Sequence, residues 1–272
     1  MSVTFSGAFT FSGGGFTATL APPATPTATA GWFGGGYLPG SIYYSTVDRI
    51  TYATDTATAS VRGTLSSVRS KLAATGNDNY GWFGAGRNIN TVFSIVNRIT
   101  YSTDLDTASV RGPLSSAKYS PAATGNSTNG WFGGGYIPAT GGISRVDRIT
   151  YATDTATASV RGPLSANRYS QAASTDSTTY GWFGGGNPGP LSTVDRITFA
   201  TDTATASVRG PLSLARRSLA ASTDNTTYGW FGGGSATSTV DRITYATDTV
   251  TATARGPLSS ARTYLAASSG IQ

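Results

Sequence analysis

A six-residue phrase, Gly-Trp-Phe-Gly-Gly-Gly, occurs at residues 31–36 and returns four more times, once with Ala85 in place of a glycine. Trp32, Trp82, Trp131, Trp182 and Trp230 stand 50, 49, 51 and 48 residues apart. A period near 50 with small insertions and deletions marks a repeat architecture, in which stacked neighbours bury what no single unit can. Five copies in 272 residues argue for one domain closed by repetition rather than two unrelated ones. Composition alone would suggest low complexity, since charged residues are 12% against the ~25% of ordinary globular chains. The regular return of Trp-Phe, Val-Asp-Arg-Ile and Leu-Ala-Ala argues against disorder, because a disordered tract needs no apolar residues at fixed positions.

Within one unit the punctuation predicts four short strands. In the copy that starts at Gln171, residues 171–173 form a small-residue strand, 174–178 a polar turn, and 180–184 a second strand. After a loop of variable length, residues 193–199 alternate as a third strand, 201–203 turn, and 204–209 form a fourth that Gly210-Pro211 ends. Four strands in about 50 residues is the arithmetic of a propeller blade. The glycines after Trp-Phe allow positive φ and close backbone approach near a central channel. Strand three carries apolar residues on both faces, as suits a sheet between two neighbours.

Residue types that are missing limit the chemistry. There is no Cys and no His, and all 13 acidic residues are Asp. Zinc, copper and haem sites thereby lose their usual ligands, and nucleophile-His dyads are impossible. No cofactor or metal is expected, and the expectation is a protein that is not an enzyme. Asp104 and Asp106 form the one close acidic pair, and turn chemistry accounts for it. The net charge of +6 comes mostly from Arg. No stretch approaches the ~20 apolar residues of a membrane helix, no leader is evident at the N-terminus, and no nucleic-acid-reading motif occurs.

Residues 1–19 stand apart from the repeats. Val3, Phe5, Phe9, Phe11 and Phe16 alternate weakly among Ser, Thr and Gly, and Pro22, Pro23 and Pro26 stop the pattern. An exposed aromatic strand invites aggregation unless covered. The segment reads either as an extended arm that docks on the propeller or on another subunit, or as a frayed terminus. The propeller proper spans residues 20–272. Leu20-Ala21 and Leu265-Ala266-Ala267 both look like a first strand, so the C-terminal copy completes the first blade, or the N-terminal segment contributes to an incomplete sixth.

The wording Tyr-Gly-Trp-Phe-Gly-Gly-Gly, then Val-Asp-Arg-Ile-Thr-Tyr-Ala-Thr-Asp, then Pro-Leu-Ser with an Arg before Leu-Ala-Ala, resembles the kelch repeat across residues 20–267. The resemblance implies an all-β, five-bladed kelch-like β-propeller of four-stranded antiparallel blades. Kelch units place a Trp soon after the Tyr, whereas Ala59, Ala158, Ala206 and Ala252 stand near that place here, so blade-to-blade packing must differ. Near-identical tandem units of this wording are similar to kelch-like repeat proteins of bacteriophages, especially cyanobacterial phages. That likeness implies a non-enzymatic virion component, such as a tail fibre, decoration or adaptor protein. Its partners would be other virion structural proteins, with host-surface glycan and homo-oligomeric copies as further ones. Copper sugar oxidases that share a propeller fold rely on ligands this chain lacks.

Candidate contact residues come from differences between the units. The loops between strands two and three, residues 37–46, 87–95, 136–145, 187–193 and 235–239, are unequal in length. They should crown the face that also holds the blade connections, where a rigid scaffold presents variable loops. Tyr37, Tyr43, Tyr44, Arg87, Phe93, Tyr136 and Arg145 are the candidate partner-binding residues there; neutral drift in tolerant loops is the plainer alternative. Arg62, Arg111, Arg161, Arg209 and Arg255 are expected to make that face basic, with Asp55, Asp104, Asp154, Asp202 and Asp248 in turns on an opposite, acidic face. The competing reading is structural: Asp48, Asp147, Asp195 and Asp241 sit beside the strand-three arginines as ion-pair partners.

Overall fold

The structure, a computed structural model, describes residues 29–267. The arm expected over residues 1–19 and the strand expected at Leu20-Ala21 lie outside them. Among the described residues the chain folds as a five-bladed β-propeller of antiparallel blades. The fourth blade shows the pattern: Ala172–Thr175, Tyr180–Gly184, Val194–Thr198 and Ser207–Arg209, in that order from the axis outward. Blades two, three and five repeat the four-stranded order. The first blade shows three strands among the described residues, Ala30–Leu38, Ile42–Thr51 and Ser60–Thr64.

Strand two of the fourth blade falls where its Tyr-Gly-Trp-Phe-Gly wording placed it. Strand four is shorter than the sequence suggests: strand three ends at Thr198, a single 3-10 turn spans Phe199–Thr201, and pairing resumes only at Ser207–Arg209. The inner strands lie side by side around a channel of ≈ 770 Å³, lined by small residues such as Ala73, Ala122, Ala172 and Ala220. At the mouth of each inner strand one residue turns left-handed: Lys71, Ser120, Ser170, Ser218 and Tyr264 all have φ of 54–56°. Their amides link the inner strands in sequence, Ser120 N to Lys71 O, Ser170 N to Ser120 O, Ser218 N to Ser170 O and Tyr264 N to Ser218 O.

Four blade interfaces are built alike, each around one turn aspartate. Asp202 of the fourth blade accepts from Trp131 Nε1 at 2.8 Å and from Arg148 at 3.0 Å, both on the third, with Arg161 Nε 3.5 Å away. Its main-chain oxygen accepts from Gly162 N at 2.8 Å. Asp104, Asp154 and Asp248 repeat the set with Trp32, Arg49 and Arg62, with Trp82, Arg98 and Arg111, and with Trp182, Arg196 and Arg209. The indole then stacks on the aromatic ring that closes strand three of the next blade, as Trp82 does on Tyr151 at 3.8 Å. The sites where kelch units carry Trp hold buried Ala158, Ala206 and Ala252, and Ala206 N donates to Pro163 O of the preceding blade. The small side chain is what lets the backbones meet.

Two expectations are corrected here. The strand-three arginines do not pair with the aspartates beside them. Arg148 reaches across to Asp202, while Asp147 is held by Lys118 and Ser115 of the incoming connection. Asp195 and Asp241 are held likewise by Arg168 and Arg216, and all these side chains are fully buried or nearly so. Burial pulls the Lys118, Arg168 and Arg216 pKa values down, and the facing carboxylates oppose it. Nor does the disc divide into a basic and an acidic face. Arg62, Arg111, Arg161 and Arg209 lie against the turn aspartates expected on the other side, because strand four of one blade packs on the strand-three turn of the next.

The buried ring hydroxyls make the fold sensitive to alkali. Burial pushes the Tyr245 phenol up to about 12, outweighing its hydrogen bonds with Ser174 and Thr223, and raises Tyr101 and Tyr151 further. Each is an acid whose folded pKa exceeds its unfolded value of 10.0. Their contribution is complete below that pH and is lost as pH rises towards the folded values. The thermal midpoint is therefore expected to hold up to about pH 10 and fall between there and about pH 12. A Tyr245→Phe chain should show a shallower decline across the same range.

Candidate functional site

The loops between strands two and three and the blade connections do share one face. Isolated bridges join them: Ser70 to Arg87, Tyr119 to Tyr136, Tyr169 to Asn187, Leu191 to Arg216 and Thr237 to Arg262. Each loop is thus pinned by main-chain hydrogen bonds to the connection leaving or entering its blade, which gives its tip a fixed base. Glycines permit the sharp exit from strand two, with Gly185 at φ 71° and Gly186 at 113°.

Two clusters arise on this face. In the first blade the strand pair runs past the sheet, with Tyr37 opposite Tyr43 and Leu38 opposite Ile42. The tyrosine rings stack at 5.9 Å, and Tyr37, Leu38, Ile42 and Tyr44 are all exposed. In the second blade's loop Ile89 is also exposed. Phe93, by contrast, is half-buried and lies beneath the buried Arg69 guanidinium at 5.8 Å, so it supports the loop from inside.

The second cluster lies over the second and third blades. Tyr136 packs on Tyr119 at 5.0–5.1 Å and on Tyr169 at the same range. Arg87 and Lys71 sit 5.2 and 5.5 Å from the Tyr119 ring centroid. A cation over a tyrosine face is held by the ring quadrupole while its charge stays available. Arg145 is turned away and donates to Ser116 Oγ at 2.8 Å, so the structure does not bring it into either cluster. Of the arginines expected to form a basic patch, only Arg255 is exposed, and no carboxylate meets it among the described residues.

Tyr119, Tyr169 and Lys71 were not among the residues the sequence singled out. The signal was present: the position after the buried connection cation reads Ser70, Tyr119, Tyr169, Arg217 and Thr263 across the units. A site that varies between otherwise near-identical copies is as informative in a connection as in a loop.

Among the described residues no group of three or more His, Cys, Asp or Glu is placed to hold a metal ion. No helix among them is long and apolar enough to cross a membrane. No protein-family model matches the chain, and no curated protein matches it.

Proposed function

We propose that this chain is a non-enzymatic structural component of a virus particle, a kelch-like propeller that joins other particle proteins through its loop face. The observation that carries the reading is the division of labour in its side chains. At four interfaces the repeated Trp, Asp and Arg are consumed in packing, while Tyr37, Leu38, Ile42 and Tyr44 stand exposed on the paired strand ends of the first blade's loop. An apolar cluster exposed on a loop that projects beyond its sheet suits a protein contact. The phage assignment rests on the resemblance of the tandem wording. Mass spectrometry of purified particles is expected to detect the chain in stoichiometric amounts, and consistent absence would overturn the proposal. Leu38→Asp with Ile42→Asp should release it from the particle while leaving its thermal midpoint within about one degree, since both residues are exposed.

A second reading, attachment to host-surface glycan, is favoured by the Tyr119, Tyr136 and Tyr169 cluster with Lys71 and Arg87 beside it. Aromatic faces stack on the apolar side of sugar rings, and the two cations suit an acidic sugar. A glycan array should show binding to carboxylated or sulfated glycans that Tyr136→Ala reduces at least tenfold. An array silent for the unaltered chain would remove this reading.

A further inference from the structure

Of the two lysines in the chain, Lys71 is exposed and Lys118 is fully buried. The position of Lys118, the cation shortly before each inner strand, is otherwise filled by Arg69, Arg168, Arg216 and Arg262. The exchange alters what the site can do chemically. A guanidinium spreads its charge over three nitrogens and stays protonated, so it serves only as a partner for a carboxylate. A lysine taken out of water gives up its proton more readily, and the free amine is a nucleophile.

Geometry sets Lys118 apart in the same sense. Arg168 and Arg216 each donate a hydrogen bond to the aspartate they face, Asp195 and Asp241. Lys118 Nζ lies 3.0 Å from Asp147 Oδ2, yet among the described residues that oxygen accepts no hydrogen bond of ordinary geometry, and Nζ donates instead to Phe132 O at 3.1 Å. Both side chains are 0% exposed. Two charges held in a dry site without a hydrogen bond between them are costly, and passing one proton from Nζ to Oδ2 removes both. Burial, the largest influence, lowers the Lys118 pKa; Asp147 opposes it, and the nearby Arg145 guanidinium adds to it. What results is an amine in contact with a carboxylic acid, already spared the entropic cost of meeting. Ser115 Oγ donates to Asp147 Oδ1 at 2.5 Å, so the oxygen that gathers negative charge during attack at Cγ has its donor in place.

We propose that Lys118 and Asp147 become joined by an amide between Nζ and Cγ, a covalent tie from the connection entering the third blade to that blade's third strand, Val146–Thr150. Nζ, having given one proton to Oδ2, attacks Cγ. The Nζ–Cγ bond forms, the Cγ–Oδ2 bond breaks, and Oδ2 leaves as water with a second proton from Nζ. The balance is amine plus carboxylic acid to amide plus water, with no change of oxidation state. The structure shows the pair before this step. Once the amide has formed, the same dry surroundings protect it from hydrolysis.

Intact mass of the full chain, purified folded and then denatured, should be lower by one water molecule than the sequence requires in most molecules. Tryptic digestion should leave the bond after Lys118 uncut and give a branched peptide that joins the segments carrying residues 118 and 147, identified by fragmentation. The Lys118→Arg chain keeps the kind of cation the other blades use, so it folds with an ion pair in place of the amide. It should show the full sequence mass and two separate peptides. A full mass for the unaltered chain would overturn the proposal. So would a lost water that persists in Lys118→Arg, because an aspartate that cyclises onto its own main chain loses water as well.

Discussion

Replacing Asp202 with Ala is expected to lower the unfolding free energy by about 3 kcal/mol, at the low end of what breaking a buried ion pair costs. One carboxylate there serves Trp131, Arg148 and Arg161, and it is itself only 6% exposed. Its loss strands an indole N–H in a dry site, which alone costs about 1 to 3 kcal/mol. It also leaves two guanidiniums without a counter-charge. The low end applies because those arginines keep 20–24% of their side chains in water and can partly rehydrate. Urea unfolding should show a lower midpoint with an unchanged slope. A loss under about 1 kcal/mol would mean that the stacked rings and glycine contacts hold the blades together, with the ion pairs adding little.

The opposite sign is expected at Asn97. In the second blade this residue stands where the third, fourth and fifth carry Asp147, Asp195 and Asp241, yet the cation it faces is still an arginine. Arg69 is fully buried, donates to Asn97 Oδ1 at 2.7 Å and to Phe83 O at 3.1 Å, and leaves Nε and one terminal nitrogen unbonded. Burial without a carboxylate pulls its pKa down to about 10. Asn97→Asp supplies the missing charge at the distance the other blades use, and Ser66 can donate to it as Ser115 and Ser213 do to theirs. The gain should be about 2 kcal/mol, the scale of a hydrogen bond to a charged group. The new carboxylate has its folded pKa depressed by Arg69. The gain is therefore present above the unfolded value near ~4 and is lost as pH falls through the folded one. Calorimetry at neutral pH and again near ~pH 2 tests both the size and its disappearance.

Both predictions concern contacts between residues that are neighbours in space but far apart in the chain. Asp202 lies 71 positions from Trp131, and Asn97 lies 28 from Arg69. The strands themselves were legible because their cues are local. Trp-Phe-Gly opens each loop, Gly-Pro ends most outer strands, and a period near 50 marks the repeated unit before any contact is known. The shared face of loops and connections followed from the same counting, since successive short strands alternate direction.

The candidate contact face was legible in part. Tyr37, Tyr44, Arg87 and Tyr136 emerged because their loops differ from unit to unit, and the structure puts them on the variable side. Arg145 and Phe93 came from the same loops, but whether a side chain turns outward depends on what its neighbours leave open. Tyr119 and Tyr169 reach the face from connections, through bridges to loops 17 or 18 residues further on.

Sequence alone therefore determined the repeat, the order of strands and the side on which variation gathers, all properties of residues close together in the chain, and left five blades or an incomplete sixth to the tertiary structure. Charge partners were decided only in three dimensions. Arg148 has Asp147 next to it in sequence and Asp202 54 positions away, and it bonds the distant one. Adjacent residues on a strand point to opposite faces, so the neighbour in sequence is turned from it, while sheet packing brings the next blade's turn under its guanidinium.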